Sequence, residues 1–230
     1  MGLITAEGIP FNVPFASIAN LFMGREPFMA RLRESFRSAN TPVVIRAVHG
    51  MGGIGKTRAA VEYAHRHRGD YSAVLFVGAA DPAALETNLA ALTGVLRLPE
   101  DAVPEHDRRL AAVLRWLETH RDWLLILDNV DTPEALAAAS ALWPRLEKGH
   151  VLLTSRLDGG FERGIEILDI GLLKEADAVA YLLSATPKRR KEPEEAAQVL
   201  AVARALDGLT LAVVIAGAYV NERRITFSTE

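Results

Sequence analysis

Residues 50–57, Gly50-Met51-Gly52-Gly53-Ile54-Gly55-Lys56-Thr57, fit the pattern G-x-x-x-x-G-K-[ST] in full. They stand between a short β-branched run, Val43 to Val48, and a helical-period stretch from Lys56 to about His67. The segment therefore fixes a strand, a tight glycine turn and a helix in one order, and few folds tolerate that order. Its glycines reach backbone angles closed to other residues, so successive N–H groups turn inward as an anion nest, and the helix N-terminus adds its positive end. Lys56 supplies a cation that reaches the β- and γ-phosphates of a bound polyphosphate, and Thr57 a hydroxyl for Mg²⁺. A glycine-rich turn without a ligand requires neither side chain.

The rest of the chain repeats the alternation. An amphipathic helix over Pro27 to Ser38 precedes the first strand. Further strands are predicted at Ala73 to Val77, Trp123 to Leu127, Val151 to Thr154 and Ile165 to Ile170, with intervening helices opened by Asp81-Pro82, near Asp107, and by Thr132-Pro133. The strand runs are apolar rather than alternating, Ile165 to Ile170 being the weakest with Glu166 and Asp169, which implies a parallel sheet covered on both faces. After Gly171 the pattern becomes three helices without strands: about Lys174 to Ser184, Glu192 to Leu206 and Leu209 to Asn221. The first twenty residues carry neither period, and Pro10 and Pro14 interrupt them, so they read as an extended arm. The expected organisation is an arm over 1–19, an α/β domain over 20–171 and a helical subdomain over 172–230.

Composition excludes several classes. Half of the 230 residues are hydrophobic, 24% are charged and the net charge is −3, so the chain folds around a core and gives no electrostatic reason to expect a nucleic-acid partner. With no cysteine, disulfides, thiolate zinc sites and cysteine nucleophiles are ruled out, and a reducing, cytoplasmic setting is expected. The apolar run Leu209 to Val220 falls well short of the ~20 residues of a membrane span. Thr186 to Glu195, with its basic run Lys188-Arg189-Arg190-Lys191 beside three glutamates, reads as a solvated loop. The six histidines form no ligand pattern, and His49 beside the glycine loop reads as local packing.

Two strand ends carry the remaining chemistry. Trp123 to Asp128 is an apolar strand delivering one carboxylate at its C-terminal end, where a single acid suffices for a hard, largely hydrated Mg²⁺. The next residue, Asn129, stands where many ATPases of this kind place a second acid to activate water, and an amide cannot take a proton; Asp131 follows two residues on. Thr154-Ser155-Arg156 ends the following strand at the edge where open parallel sheets bind ligands, which makes Arg156 a candidate phosphate contact.

Together these residues resemble the NB-ARC module of the STAND class of signal-transduction ATPases, from about Asn20 to Asn221. Phe22-Met23-Gly24-Arg25-Glu26 is similar to the family's hydrophobic-hydrophobic-Gly-Arg-Glu motif, Val48 to Thr57 to its P-loop, Leu124 to Val130 to its Walker B strand and Leu152 to Arg156 to its sensor strand. Asp207-Gly208-Leu209-Thr210-Leu211-Ala212 resembles its Gly-Leu-Pro-Leu motif, with Thr210 in the proline position. The resemblance implies a three-layer P-loop α/β fold with a five-stranded parallel sheet, the sensor strand lying between the P-loop and Walker B strands. It also implies ATP or ADP with Mg²⁺ as ligands. Phe22, Gly24, Arg25, Gly50, Gly52, Gly53, Ile54, Gly55, Lys56, Thr57, Arg58, Leu209 and Thr210 are the implied nucleotide contacts. Lys56, Asp128 and Arg156 are the implied catalytic residues, with Thr57 and Asp128 on the metal.

The expectation that follows is a nucleotide-dependent switch with slow ATP hydrolysis, a piece of a longer protein whose effector and sensor domains lie outside this chain and which forms an ATP-driven homo-oligomer when intact. Neither a membrane nor a nucleic acid is an expected partner. The alternatives are a non-catalytic nucleotide-binding scaffold and a small-molecule phosphotransferase built on the same P-loop. A motor or clamp-loader ATPase is disfavoured because nothing basic marks a nucleic-acid track.

Overall fold

The computed structural model describes residues 8–38, 43–47, 52–161, 165–190 and 195–227, with the main chain alone over 43–47. Five strands form one sheet in the order β2-β3-β4-β1-β5: β1 (Val43–Ala47), β2 (Ala73–Gly78), β3 (Trp123–Asp128), β4 (His150–Ser155) and β5 (Glu166–Ile170). Every pairing is parallel. The sensor strand β4 thus lies between β1, which leads into the glycine loop, and β3, as the family resemblance implied.

Alternate residues of β2, β3 and β4 feed two cores, and β5 adds to the second. Leu75, Val77, Trp123, Leu125, Leu127, Val151 and Leu153 pack against α3 (Pro82–Val95), α4 (His106–Thr119) and α5 (Pro133–Ser140). Val74, Leu124, Ile126, Leu152 and Leu168 pack against α1 (Glu26–Ser38) and α2 (Lys56–Arg66). Residues Trp123 to Leu127 are fully buried. That explains the uninterrupted apolar run, because each such side chain gains about 1.5–3 kcal/mol from burial whichever face it takes. The Asp81 and Thr132 side chains accept hydrogen bonds from the main-chain N–H of Ala84 (2.8 Å) and Ala135 (3.1 Å), so both expected N-caps form.

Past β5 the chain forms α6 (Glu175–Ala185), α7 (Glu195–Ala205) and α8 (Thr210–Arg223), with α6 packed on both others. Ala178, Leu182, Val199, Ala203, Val213, Val220 and Phe227 make their small shared core.

Two regions differ from the sequence reading. The arm is not a bare extension: Phe11 bridges Val74 in parallel, Val74 N–H donates to the Pro10 carbonyl (2.9 Å), and the Asn12 amide brackets Phe76. Asn12 Oδ1 accepts from Phe76 N–H (2.6 Å) and Nδ2 donates to the Phe76 carbonyl (2.9 Å), so a side chain continues the ladder that a strand would make. In the loop read as solvated, Lys188 and Arg190 are exposed, but the Arg189 side chain is instead turned inward. It pairs with Glu195 and donates to the carbonyls of Leu183 (3.2 Å) and Thr186 (2.9 Å), closing the last turn of α6. Lys191, Glu192 and Glu194 of that loop lie outside the described residues.

Candidate functional site

The C-terminal ends of β3 and β4 and the start of α2 converge on one point. Gly55, with φ +105°, stands at the N-cap of α2, and Gly53 has φ +77°, two left-handed angles that only glycine takes at little cost. They carry the chain from the glycine loop into Lys56 and Thr57. Residues 48–51, among them Gly50 and His49, lie outside the described residues.

Thr57 Oγ1 donates to Asp128 Oδ1 at 2.7 Å, and Thr154 Oγ1 donates to the same oxygen at 2.6 Å. The exits of β3 and β4 are then joined residue by residue. Asn129 N–H donates to Thr154 Oγ1 (2.9 Å), Val130 N–H to the Thr154 carbonyl (2.9 Å), and Ser155 Oγ to the Val130 carbonyl. Asn129 sits at φ +68°, a left-handed angle that Asn tolerates better than most side chains. Asp131 closes the series: Oδ1 accepts from Arg156 N–H at 2.7 Å and Oδ2 from Arg156 Nε at 2.6 Å. Burial holds Lys56 below the usual lysine range, Asp131 and Asp128 push it back up, and Arg156 pulls it down.

Beside this polar cluster lies a cavity of about 600 Å³, lined by Gly52 to Arg58, Asn129, Asp131, Thr154 and Arg156 at one end. Its other walls are mostly apolar: Phe15 and Ile18 of the arm, Leu21, Phe22 and Met23 just after it, and Leu173, Tyr181, Leu211, Val213 and Val214 of the helical part, with Arg25 and Thr210 as the polar members. The size is that of an ordinary small-molecule site. Of the residues expected at a ligand, Gly24, Asp128 and Leu209 do not line this cavity. Gly24 packs against Asp177, Asp128 is turned to Thr57 and Thr154, and Leu209 precedes α8 with its N–H on the Leu206 carbonyl. Phe22, Arg25 and Thr210 of the expected contacts do line it, whereas Phe15, Ile18, Leu21 and Tyr181 were not singled out from sequence; the cluster Phe15, Ile18, Leu21, within an otherwise aperiodic stretch, was the one available signal.

Two anchors shape the cavity. Glu62 of α2 is fully buried and accepts from Ser17 Oγ (2.7 Å) and Ile18 N–H (2.7 Å), while Arg58 Nη1 donates to the Ala16 carbonyl (2.8 Å), so the arm is fastened to the helix that follows the glycine loop. On the opposite wall, Thr210 Oγ1 donates to the Ile54 carbonyl (2.9 Å) and accepts from Arg25 Nη2 (3.1 Å); Leu211 N–H donates to the Gly53 carbonyl (2.9 Å). Arg25 Nη1 also donates to the Gly171 carbonyl (2.6 Å). Its burial lowers the guanidinium from its usual range, and Asp177 opposes that shift. The threonine in the proline position thus makes two bonds that a proline side chain cannot.

A metal test rests on the donor set. Thr57 and Asp128 present a hydroxyl and one carboxylate, hard oxygen donors 2.7 Å apart, and a hydrated Mg²⁺ bound partly by phosphate oxygens needs no more protein ligands than these. The residues present fit that ion.

Comparison with known proteins agrees with the geometry. Among curated proteins, the regulatory protein AfsR of Streptomyces coelicolor is 29% identical over 231 residues, covering 96% of this chain and 23% of that protein. A nucleotide-binding leucine-rich repeat (NLR)-like protein of Hyaloscypha variabilis is 26% identical over 245 residues, covering 96% of this chain and 24% of that protein. The chain therefore spans about a quarter of the length of these relatives. Among solved structures, the Walker-type ATPase of Pyrococcus abyssi superposes with a TM-score of 0.60 at 12% identity, over 91% of this chain and 70% of that one. The ORC2 protein of Aeropyrum pernix, solved as ADPNP–ADP complexes, has a TM-score of 0.54 at 16% identity, over 91% and 62%. At such identities the structural likeness speaks for the P-loop fold alone. The family model of the NB-ARC domain matches residues 25–178, which hold the joined exits of β3 and β4 and the described part of the glycine loop, and the chain belongs to that family.

Proposed function

We propose that this chain binds ADP and Mg·ATP in the cleft between the glycine loop and the three C-terminal helices, and works as the nucleotide-dependent switch of a larger STAND signalling protein. One observation carries the reading: a single cavity of about 600 Å³ has Lys56, Thr57 and Arg156 at one end and apolar arm and helix side chains at the other. A nucleotide has that same division between polyphosphate and base. The glycine-loop amides and Lys56 hold the phosphates, and Phe22 with Phe15 and Ile18 of the arm walls the base. Thr57 and, through water, Asp128 are the residues that would hold Mg²⁺, and the ion would supply positive charge to the polyphosphate.

Hydrolysis is slow in this reading. Asn129 takes no proton, and both Asp131 oxygens already accept from Arg156, so neither is a ready general base for the phosphate end. The same observation favours, as the second reading, a scaffold that binds but does not turn over. Single-turnover hydrolysis separates the two, since product formed over hours supports the switch with slow turnover and none supports the scaffold.

The family and the names of the relatives, a regulatory protein and an NLR-like protein, support a regulatory role, which the family resemblance makes one of immune or transcription-regulatory type. In the same reading the units are the arm 1–19, the nucleotide-binding domain 20–171 and the helical subdomain 172–230, within a longer cytoplasmic protein that oligomerises with ATP. Among the described residues no helix is long and apolar enough to cross a membrane. The direct test is to denature the purified protein and identify the released nucleotide by chromatography, then titrate nucleotide-free protein with ADP and Mg·ATP. Measurable binding that Lys56→Ala weakens ten- to a hundredfold is expected, in line with the loss of a charge-assisted phosphate contact; an affinity indifferent to Lys56 overturns the assignment.

A further inference from the structure

Arg156 is held in place before any phosphate arrives. Asp131 takes its main-chain N–H with one oxygen (2.7 Å) and its Nε with the other (2.6 Å), a two-point grip that fixes both the start and the far part of the side chain. Among the described residues, the terminal nitrogens Nη1 and Nη2 make no hydrogen bond. The Asp131 side chain is 9% exposed and that of Arg156 49% exposed, so the acid is set in the wall while the arginine stands at the cavity surface. Behind Asp131 the joined exits of β3 and β4 run through Val130, Asn129 and Thr154 to Asp128 and Thr57. The carboxylate that grips the arginine and the carboxylate on the metal side thus belong to one frame.

We propose that Asp131 is the positioning residue that makes Arg156 selective for a third phosphate. It spends its two acceptors on the main chain and Nε and leaves the Nη fork to bond a terminal phosphate, with little rotamer freedom left to lose on binding. Free, Arg156 would carry the side-chain entropy of a long exposed residue and gain less from the same contact. Asp131 is accordingly not the base that activates water. This inference rests on the proposed nucleotide site and adds to it the origin of the ATP-against-ADP difference.

The test uses the full chain and isothermal titration with ADP and with the β,γ-methylene analogue of ATP, both with Mg²⁺. Asp131→Ala and Arg156→Ala should each lower the affinity for the triphosphate analogue about tenfold, the scale of one charge-assisted hydrogen bond, and leave ADP within about twofold. The double variant should lose no more than Arg156→Ala alone, because the acid acts through the arginine. Asp131→Asn keeps an acceptor for the Arg156 N–H and should fall between; it carries the test if Asp131→Ala does not fold, as judged by lost ADP binding. The proposal is overturned by an unchanged ADP-to-analogue ratio in both Asp131 variants, by a rise in analogue affinity, or by additive losses in the double variant. If the unmodified protein binds neither nucleotide, the proposed function falls and takes this inference with it. Binding of both with a ratio indifferent to Asp131 removes the inference alone.

Discussion

The α/β part and the three-helix part are held together by different physics. In the sheet, β3 buries every side chain from Trp123 to Leu127 on both faces, between two layers of helices. The helical part has a core of seven mostly small residues, and α8 turns Leu211, Ile215 and Tyr219 outward on one stripe, each at least half exposed. Its junction with the glycine loop consists largely of single hydrogen bonds to the carbonyls of Gly53 and Ile54. Exchanging such bonds for water costs little, about 0.5–1.5 kcal/mol each, whereas opening the sheet exposes a large apolar surface. The contrast makes the helices, rather than the sheet, the half that the proposed switch would reposition.

The sharpest way to break this contrast is to cut the same amount of core from each side. Ile126→Ala should cost about 2–5 kcal/mol and lower the urea midpoint of the whole α/β part. Leu182→Ala should instead speed hydrogen exchange in α6 to α8 and leave β3 amides protected; equal loss of protection in both parts would erase the distinction. Next in size is Gly208→Ala. Gly208 has φ +66° and an added Cβ would come within 2.3 Å of the Leu173 carbonyl oxygen, so a cost of about 1–3 kcal/mol is expected, read as loosening of α6 and α8 by exchange.

Thr210→Val keeps the side-chain volume and removes both hydroxyl bonds. About 1–2 kcal/mol of closure energy should be lost, seen as faster proteolysis within the helical part and weaker ADP binding, with the thermal midpoint of the sheet nearly unchanged. The smallest effect expected is a pH dependence confined to the α/β part. Burial lowers His150, Asp122 opposing, and its Nδ1 lies 3.0 Å from the Tyr71 hydroxyl. The unfolded chain therefore binds the proton more tightly, and stability falls as pH drops through the ordinary value of about 6.5. Urea midpoints at pH 8 and pH 5.5 should differ less in His150→Gln. Residues 172–227 contain no histidine, so exchange in α6 to α8 should not follow this titration.

Much of the fold was readable because its signals are local. The apolar runs of β2 to β5, the caps at Asp81 and Thr132, and the stop at Asp207-Gly208 act within a few residues, and the observed elements agree closely with those read. The place of β4 between β1 and β3 came from the family resemblance, since parallel pairing leaves no trace in periodicity. The contacts that finish the site are long-range. Asp131 and Arg156 are 25 residues apart, Arg25 and Thr210 are 185 apart, and no spacing rule connects them. Arg189 was misread for a related reason: a basic run marks solvent on average, and the open carbonyls at the end of α6 appear only once the helix is built.

The bracket that Asn12 places around Phe76 also bears on how the molecule behaves in a crowded solution. β2 is the outermost strand on its side, and a bare border of that kind is a template on which extended segments of other molecules stack. Residues 10–12 already occupy its free amides and carbonyls, and Pro10 and Pro14, which lack an N–H, flank the patch so that a further strand finds few donors to pair with. The arm thereby covers the border of β2, and replacing Asn12 by Ala, which reopens the Phe76 amide and carbonyl while leaving the Glu62 anchor in place, should raise turbidity at high concentration.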